Sequence, residues 1–240
     1  MTDSNIYAVI KKKEYKQTME YNLIRTKRKT VAIHILNGIV EVRAPLKKPI
    51  SEIDRFVNSK EKWISDKLAL SRQQVKQRDN FSLDYGDIVP CFGDSFVITE
   101  KEHIHHDFDD EHFYVPPGLK PEQIKCACIR IYRKLAKNCL TAKTIEFAGL
   151  MSISPVEISI TGAKTRWGSC SAKRINYTWR LVMADEDVID YVVVHELTHL
   201  IEMNHSKRFW AIVESFIPDY KERSLRLKEL QRRLESENWS

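Results

Sequence analysis

Apolar and polar residues alternate with a period of two in the first part of the chain, a pattern typical of strands that bury one face. Residues 30–35 and 39–44 show it, and the Asn37–Gly38 pair between them is typical of a two-residue hairpin turn. Pro45 is expected to end the second strand, because proline has no N–H to give to a sheet. Further apolar runs with strand character follow at 88–90, 96–99, around 104, at 113–115, at 156–160 and at 175–182.

Other segments show helical periodicity, with apolar residues three and four positions apart. Ser51 is a candidate N-cap for a helix that runs to about Leu70, and the polar stretch 71–80 is expected to be a helix end and a loop. The predicted buried stripe of that helix consists of Ile53, Phe56, Val57, Trp63, Ile64 and Leu68. Later helices are expected at 121–149, from 185 through the apolar run 188–194, at 207–216 and at 219–237.

This distribution of elements predicts an α+β fold. The Pro116–Pro117–Gly118 segment is a strong breaker of regular structure and predicts a domain boundary. We therefore expect a β-rich N-terminal domain with one helix, residues 1–118, followed by a C-terminal domain, residues 119–240.

Composition adds few constraints. The 240 residues suffice for one large domain or two small ones, and the 42% hydrophobic and 30% charged residues are ordinary for a soluble globular protein. The net charge of +6 permits an anionic partner without requiring one. No window approaches the roughly 18 apolar residues of a membrane span, so no membrane partner is expected. The start of the chain shows no secretory pattern, and the five cysteines form no paired CxxC knuckles, which together favour a cytoplasmic protein with reduced thiols.

The segment 195–199 carries the candidate chemistry. His195 and His199 are four positions apart, so on a helix both imidazoles point the same way and can share one zinc ion with Zn–N distances of about 2.0–2.1 Å. Glu196 is rotated by about 100° from His195 and is placed to accept a proton from an attacking water. The pattern therefore predicts a hydrolase with Glu196 as its general base.

His205 is the candidate third ligand, which requires that the helix end between His199 and His205. Asn204 is the predicted stop because asparagine tolerates the left-handed cap conformation, and Ser206 is then a candidate N-cap for the next helix. Three protein ligands and one open position are typical of a catalytic zinc site. The alternatives that remain open for the third ligand are Glu202, Glu214 and Glu222.

Several side chains are candidates for supporting roles. Candidate donors to a developing oxyanion are Lys164, Arg166 and Tyr191, although core packing is the role expected first for the tyrosine. Candidate hydrogen-bond partners for metal-bound imidazoles are Asp190, Asn204 and Asp219. The segment 167–171 is either a substrate-facing loop beside the metal or a tight turn at Gly168 with Trp167 as a core anchor.

Spaced motifs in the chain resemble the YgjP-like metallopeptidase family, which belongs with the zincin-type proteins and is similar in outline to SprT-like proteins. The motifs are residues 165–171, 179–181, 189–200, 204–206 and 209–210, together with 27–31, 42–45, 56–57 and 63–64 nearer the N-terminus. The resemblance implies a zinc ion on His195, His199 and His205, with Glu196 as the base. It also implies a zincin-like C-terminal half behind the β-rich N-terminal half. The family's name favours a metallopeptidase, while the substrate itself stays open between peptide and nucleotide.

Two other functions remain open from the sequence. A metal-dependent nucleotide phosphoanhydride hydrolase, such as a nucleoside triphosphate pyrophosphatase, is suggested by the basic residues Lys164, Arg166, Lys173 and Arg174, although no Gly-rich phosphate cradle accompanies them. A nucleic-acid-associated module is suggested by the basic residues at 11–13, 25 and 27–29. The stretch 103–112, rich in His and Asp, is typical of a solvated turn or of a second metal site. Histidine ligands also accept divalent metals other than zinc.

Overall fold

The computed structural model describes residues 19–154, 157–171 and 174–239. The chain divides into two compact units, Met1–Phe81 and Ser82–Ser240. Both units combine strands and helices, and the predicted α+β class is confirmed. No helix in the described part of the chain is both long enough and apolar enough to cross a membrane.

Within the described residues, the first unit contains a three-stranded sheet and two helices. Strands β1 (Asn22–Thr26), β2 (Ala32–Leu36) and β3 (Ile39–Pro45) are arranged in the order β1-β3-β2, with β1 parallel and β2 antiparallel to β3. Helices α1 (Ile50–Asn58) and α2 (Glu61–Asn80) follow. The buried core of this unit consists of Val40, Val42, Ala44, Ile53, Val57 and Ile64.

The predicted hairpin is present, and Asn37 and Gly38 both have positive φ, at 50° and 74°. The single helix predicted to reach Leu70 is instead two helices, and the stretch 71–80 is helical rather than a loop. The helical stretch 71–80 contacts the hairpin: the backbone N–H of Gly38 donates to Ser71 Oγ at 3.0 Å, and Arg78 donates to the Asn37 side chain at 3.2 Å. Trp63, predicted to be buried, is 46% exposed.

The second unit begins with a four-stranded sheet. Its strands are β4 (Ile88–Cys91), β5 (Asp94–Glu100), β6 (Asp107–Phe108) and β7 (His112–Val115), in the order β4-β5-β7-β6. The long helix α3 (Pro121–Leu150) follows. Strands β8 (Glu157–Thr161), β9 (Gly168–Cys170) and β10 (Arg174–Thr178) form a second sheet in the order β8-β10-β9, before a 3₁₀ helix (Trp179–Met183). Helices α4 (Glu186–Thr198), α5 (Lys207–Phe216) and α6 (Tyr220–Glu235) complete the unit.

The boundary predicted at Gly118 differs from the boundary between the compact units, which follows Phe81. The sheet β4–β7 packs on elements that come after Gly118. The Phe113 ring lies 5.0 Å from that of Tyr132 in α3, and Tyr132 donates its hydroxyl to the Pro90 carbonyl at 2.8 Å. The local sequence pattern shows the breaker near Gly118. It does not show these contacts, because they join residues about 20 and 40 positions apart.

Candidate metal centre and catalytic site

Helix α4 carries the histidine segment through the interior of the second unit. Its first turn contains Glu186 and Asp187, whose negative carboxylates are stabilised by the positive end of the helix dipole. The β-branched run 192–194 has modest helix propensity, and burial of this run stabilises the helix by packing. Thr198 Oγ1 donates to the Val194 carbonyl at 2.7 Å where the buried stretch ends.

The chain leaves α4 earlier than predicted. The helix ends at Thr198, and the Thr198 carbonyl accepts hydrogen bonds from the N–H groups of Ile201 and Glu202. The predicted left-handed stop at Asn204 is wrong, because Asn204 is not among the residues with positive φ. Its carbonyl instead accepts from the N–H of Ser206 at 2.7 Å. A non-glycine left-handed residue is therefore not needed to reverse the chain here.

Ser206 is the N-cap of α5, as predicted, with its hydroxyl accepting from the Phe209 N–H at 3.2 Å. The turn and the cap return the chain toward α4 and place His205 beside the first two histidines. The ligand atoms of His195, His199 and His205 all lie within 4.8 Å of one another. Among the residues that the structure describes, Glu202, Glu214 and Glu222 do not join this group.

The imidazoles of His195 and His205 have the spacing that a tetrahedral metal ion requires. Two nitrogens bound to zinc at about 2.05 Å with a tetrahedral angle are about 3.3 Å apart, and Nε2 of His195 lies 3.1 Å from Nε2 of His205. Burial, together with His199 and His205, lowers the pKa of His195 to about 3, and burial and His205 also lower the pKa of His199. Both rings are therefore neutral at pH 7, which is the state that binds a metal.

The histidines differ in their hydrogen-bond partners outside the group of three. Backbone groups of Glu202 and Met203 hydrogen-bond His199 and raise its pKa, as acceptor carbonyls do, and such a partner orients a ligating ring. Nδ1 of His195 is buried with no partner among the described residues. The acidic candidates are engaged elsewhere: Asp190 accepts from Lys143 at 2.7 Å, and Asp219 pairs with Arg223 at 2.9 Å.

Glu196 lies on the buried side of α4 and is 6% exposed. Burial alone raises the pKa of its carboxyl to about 7. A carboxyl with a pKa near neutrality can both accept and return a proton under physiological conditions, which is the requirement for a general acid–base catalyst. The positive charge of a metal ion held by the three histidines would lower the pKa of Glu196 again, because it favours the negative carboxylate.

Gly168, the first residue of β9, lies directly against Glu196. A Cβ at this glycine would be 2.5 Å from Oε1 and 2.6 Å from Cδ and Cγ of Glu196. Strand β9 pairs on one side with β10, so it forms an edge of the three-stranded sheet in the described part of the chain. Of the two interpretations of the segment 167–171, the structure favours the one that sets the segment beside the histidine helix, although Gly168–Cys170 form a strand rather than a loop. The isolated glycine between Trp167 and Ser169 was the only sequence signal for this close approach.

The remaining candidates lie around this strand. Lys164 and Arg166 are exposed on the connection between β8 and β9, and Trp167 is half-buried with its carbonyl accepting from the Thr178 N–H at 2.9 Å. Cys170 is on the same face of β9 as Gly168, since alternate strand residues share a face. Burial and the nearby Glu196 raise the pKa of Cys170 to about 11, so its thiol is protonated at pH 7. Cys170 is not part of the described ligand group.

Aromatic rings surround the histidines, an arrangement that the sequence pattern did not predict. Phe209 is fully buried in α5, and its ring centroid lies 5.0, 4.7 and 4.7 Å from those of His195, His199 and His205. Trp210 stacks on His205. Tyr191 is 6% exposed, hydrogen-bonds Ser224 and lies edge-on to His195. These contacts favour a packing role for Tyr191 over the role of a donor to substrate.

Other ligand-rich or basic stretches do not form a second centre among the residues described. In the stretch 103–112, Asp109 accepts from Tyr114 and from two backbone N–H groups, as in a solvated turn. The histidines of that stretch join no described group of three ligands. Lys173 and the basic residues 11–13 lie outside the described residues.

Known proteins provide an independent comparison. A model of the YgjP-like family, described as a metallopeptidase domain, matches residues 29–230. Among solved structures, the crystal structure of the metallopeptidase zymogen of Pyrococcus abyssi abylysin is similar to this chain, with 24% sequence identity and a TM-score of 0.33. The match covers 40% of this chain and 90% of the abylysin chain. None of the curated proteins compared with the chain matches it. On the strength of the match over residues 29–230, the chain belongs to the YgjP-like metallopeptidase domain family and is, at the level of that family, a metal-dependent peptidase.

Proposed function

We propose that the chain is a zinc-dependent peptidase that holds one metal ion on His195, His199 and His205 and uses Glu196 as its general base. The observation that carries the proposal is the contact between Gly168 and Glu196, which sets the edge strand β9 directly beside the carboxylate. An edge strand offers unpaired backbone groups, and extended peptides bind such edges by adding a strand. The substrate backbone would thereby be held next to the proton-transfer group.

The donor set suits zinc, which prefers neutral imidazole ligands at this number and spacing, although nickel, cobalt and manganese are also accepted by histidine. A bound zinc would supply Lewis-acid polarisation of the scissile carbonyl and acidify the attacking water. The chain's own residues have separate tasks. His195, His199 and His205 present neutral nitrogens, and the packing of Phe209 against all three rings excludes water from one side of the centre.

Glu196 performs the proton transfers. Its buried carboxylate accepts the proton of the attacking water and then delivers that proton to the amine of the leaving peptide fragment. Burial supports the first step, because in the metal-free site it raises the pKa of the carboxyl and makes the carboxylate a stronger base than an ordinary one. The position of Gly168 supports both steps, since the absence of a side chain leaves the carboxylate room against the strand.

A panel of substrates tests the proposal against the nucleotide hydrolase. Purified protein with one equivalent of zinc is assayed with casein, fluorogenic peptides and nucleoside triphosphates. We expect peptide cleavage, loss of it in Glu196→Gln, and full activity in Glu214→Gln, whose exposed carboxylate lies outside the ligand group. Turnover of nucleotides without cleavage of peptides would refute the peptidase, and peptide cleavage that survives Glu196→Gln would refute the assigned base.

Metal analysis tests the ligands independently of any substrate. The His195→Ala, His199→Ala and His205→Ala variants are expected to retain less zinc than the wild type after dialysis. Undiminished zinc in these variants would mean that the ion binds elsewhere.

A further inference from the structure

Four aromatic rings form a continuous stack that starts at His205. The His205 and Trp210 rings are 5.7 Å apart at an interplanar angle of 24°, and Trp210 and Tyr220 are 5.1 Å apart at 16°. Tyr220 and Tyr191 are 6.5 Å apart at 25°. Near-parallel rings at these spacings are attractive when offset, so each contact favours the alignment of its two members.

The stack returns to the helix from which the other two histidines project. Tyr191 lies one turn before His195 in α4, and its ring meets that of His195 edge-on at 5.9 Å and 71°. The rings of His195 and His205 are themselves 5.0 Å apart. The ring contacts therefore form a closed series that runs from α4 through α6 and α5 to His205 and returns to α4.

His205 needs such support more than the other two histidines do. It is exposed and lies in the connection between α4 and α5, where the backbone has no helical hydrogen bonds to fix it. His195 and His199, by contrast, lie within α4 or at its C-cap. Beyond the other histidines, the ring contacts of His205 in the described structure are Phe209, edge-on at 4.7 Å, and Trp210, stacked.

We propose that Trp210 is a positioning residue for His205, held in place by Tyr220, and that the stack sets the third imidazole toward the other two before any metal arrives. This inference rests on the proposed function only in that it takes His205 to be a ligand. Without the stack the His205 ring samples other rotamers, and the affinity for zinc falls in proportion to the fraction of chains that still present it correctly. A loss of about tenfold is expected, since one aromatic contact and its orienting effect are removed.

The test measures zinc affinity directly, by competition with a chromophoric chelator, in Trp210→Leu, Trp210→Phe and the wild type. Trp210→Leu is expected to weaken zinc binding about tenfold, while Trp210→Phe keeps a ring in the stack and recovers most of the affinity. Trp63→Leu is the matched control, because it makes the same substitution at an exposed tryptophan on α2 of the other unit. That control is expected to bind zinc as the wild type does.

A double-mutant cycle with His205→Ala separates positioning from a general structural role. If Trp210 acts through His205, Trp210→Leu has no further effect on zinc affinity once His205 is alanine. Equal losses in both backgrounds would overturn the proposal, and so would a wild-type affinity in Trp210→Leu. Thermal unfolding of the metal-free variants verifies that each one folds. If Trp210→Leu does not fold, Tyr220→Leu takes its place, because it removes the ring that holds Trp210; wild-type zinc affinity in Tyr220→Leu would then overturn the proposal.

The same measurements keep the two proposals apart. If His205→Ala itself leaves zinc binding unchanged, the assignment of the third ligand fails. If His205→Ala weakens binding while Trp210→Leu does not, the metal centre stands and the positioning role of Trp210 is refuted.

Discussion

Substitution of Gly168 by alanine perturbs the proposed general base, Glu196, without touching any of the proposed metal ligands. The added Cβ would be 2.5 Å from Oε1 of Glu196 and 2.6 Å from its Cδ and Cγ. Non-bonded carbon and oxygen atoms rest at about 3.5 Å, so the carboxyl group or the strand has to move by about 1 Å. The backbone conformation adds no strain of its own, because Gly168 is not among the glycines with positive φ.

A displacement of about 1 Å in a catalytic group costs on the order of 100-fold in rate. We therefore expect kcat/KM of Gly168→Ala on a peptide substrate to fall about 100-fold, with one zinc still bound per chain. Overpacking of a buried contact also costs about 1–3 kcal/mol of stability. The three measurements are steady-state kinetics at matched protein concentration, elemental analysis of zinc and urea unfolding.

Gly149→Ala is the control for this substitution. Nothing lies within 4 Å of a Cβ at Gly149, and the residue belongs to α3, where alanine is the better helix former. It should leave kcat/KM unchanged and raise stability by about 0.5–1 kcal/mol. Wild-type kcat/KM in Gly168→Ala would show that the edge strand and Glu196 are not in the arrangement described, and parallel loss of zinc would place the effect on the ligands instead.

Three further predictions concern stability. The folded-state pKa of Glu196 is raised from 4.5 to about 7, so the metal-free protein loses stability as pH rises through this window. Glu196→Gln should therefore be more stable than the wild type by up to about 3 kcal/mol above pH 7, and equally stable below pH 4.5. Urea unfolding at a series of pH values measures this difference, and a difference that does not change with pH would contradict the prediction. Ser206→Ala removes the N-cap of α5 and should cost about 1 kcal/mol in urea unfolding, whereas Ser215→Ala, at an exposed site late in the same helix, should cost less; equal costs would argue against the cap. Zinc at 100 times its Kd should stabilise the folded chain by about 2.7 kcal/mol, measured as a rise in Tm that a chelator reverses; the same rise in His195→Ala would mean that the ligands are wrong.

Local patterns were sufficient where a feature depends on neighbours in the sequence. The Asn37–Gly38 turn follows from the left-handed conformations that these two residues tolerate. The cap at Ser206 follows from its hydroxyl and from the helical run behind it. The four-residue spacing of His195 and His199 fixes their common direction on any helix.

Features that depend on distant residues were not predictable in this way. Strand β1 exists because it pairs in parallel with β3, with Asn22 beside Glu41, and its own five residues show no clear alternation. Residues 71–80, expected to end a helix, continue α2 and hydrogen-bond the hairpin turn more than 30 positions earlier. The approach of Gly168 to Glu196 joins residues 28 positions apart, and no local propensity encodes it.

The chain reversal before His205 was misassigned for a related reason. A left-handed asparagine is one way to end a helix, and the sequence offered Asn204 for it. The structure ends α4 at Thr198 and closes the turn through the Thr198 carbonyl, so the reversal is spread over several residues. The predicted approach of His205 to the other histidines was nevertheless found, because the Ser206 cap sets where α5 begins.

We propose that one metal ion on three histidines acts together with Glu196 in peptide cleavage. Titration of metal-free protein with zinc, while the cleavage of a fluorogenic peptide is followed, tests it most directly. The predicted rate rises linearly and stops rising at one equivalent of zinc per chain, and Glu196→Gln binds the same equivalent with at least about 100-fold less activity. Cleavage that does not depend on zinc, or that Glu196→Gln retains at full zinc occupancy, would contradict the claim.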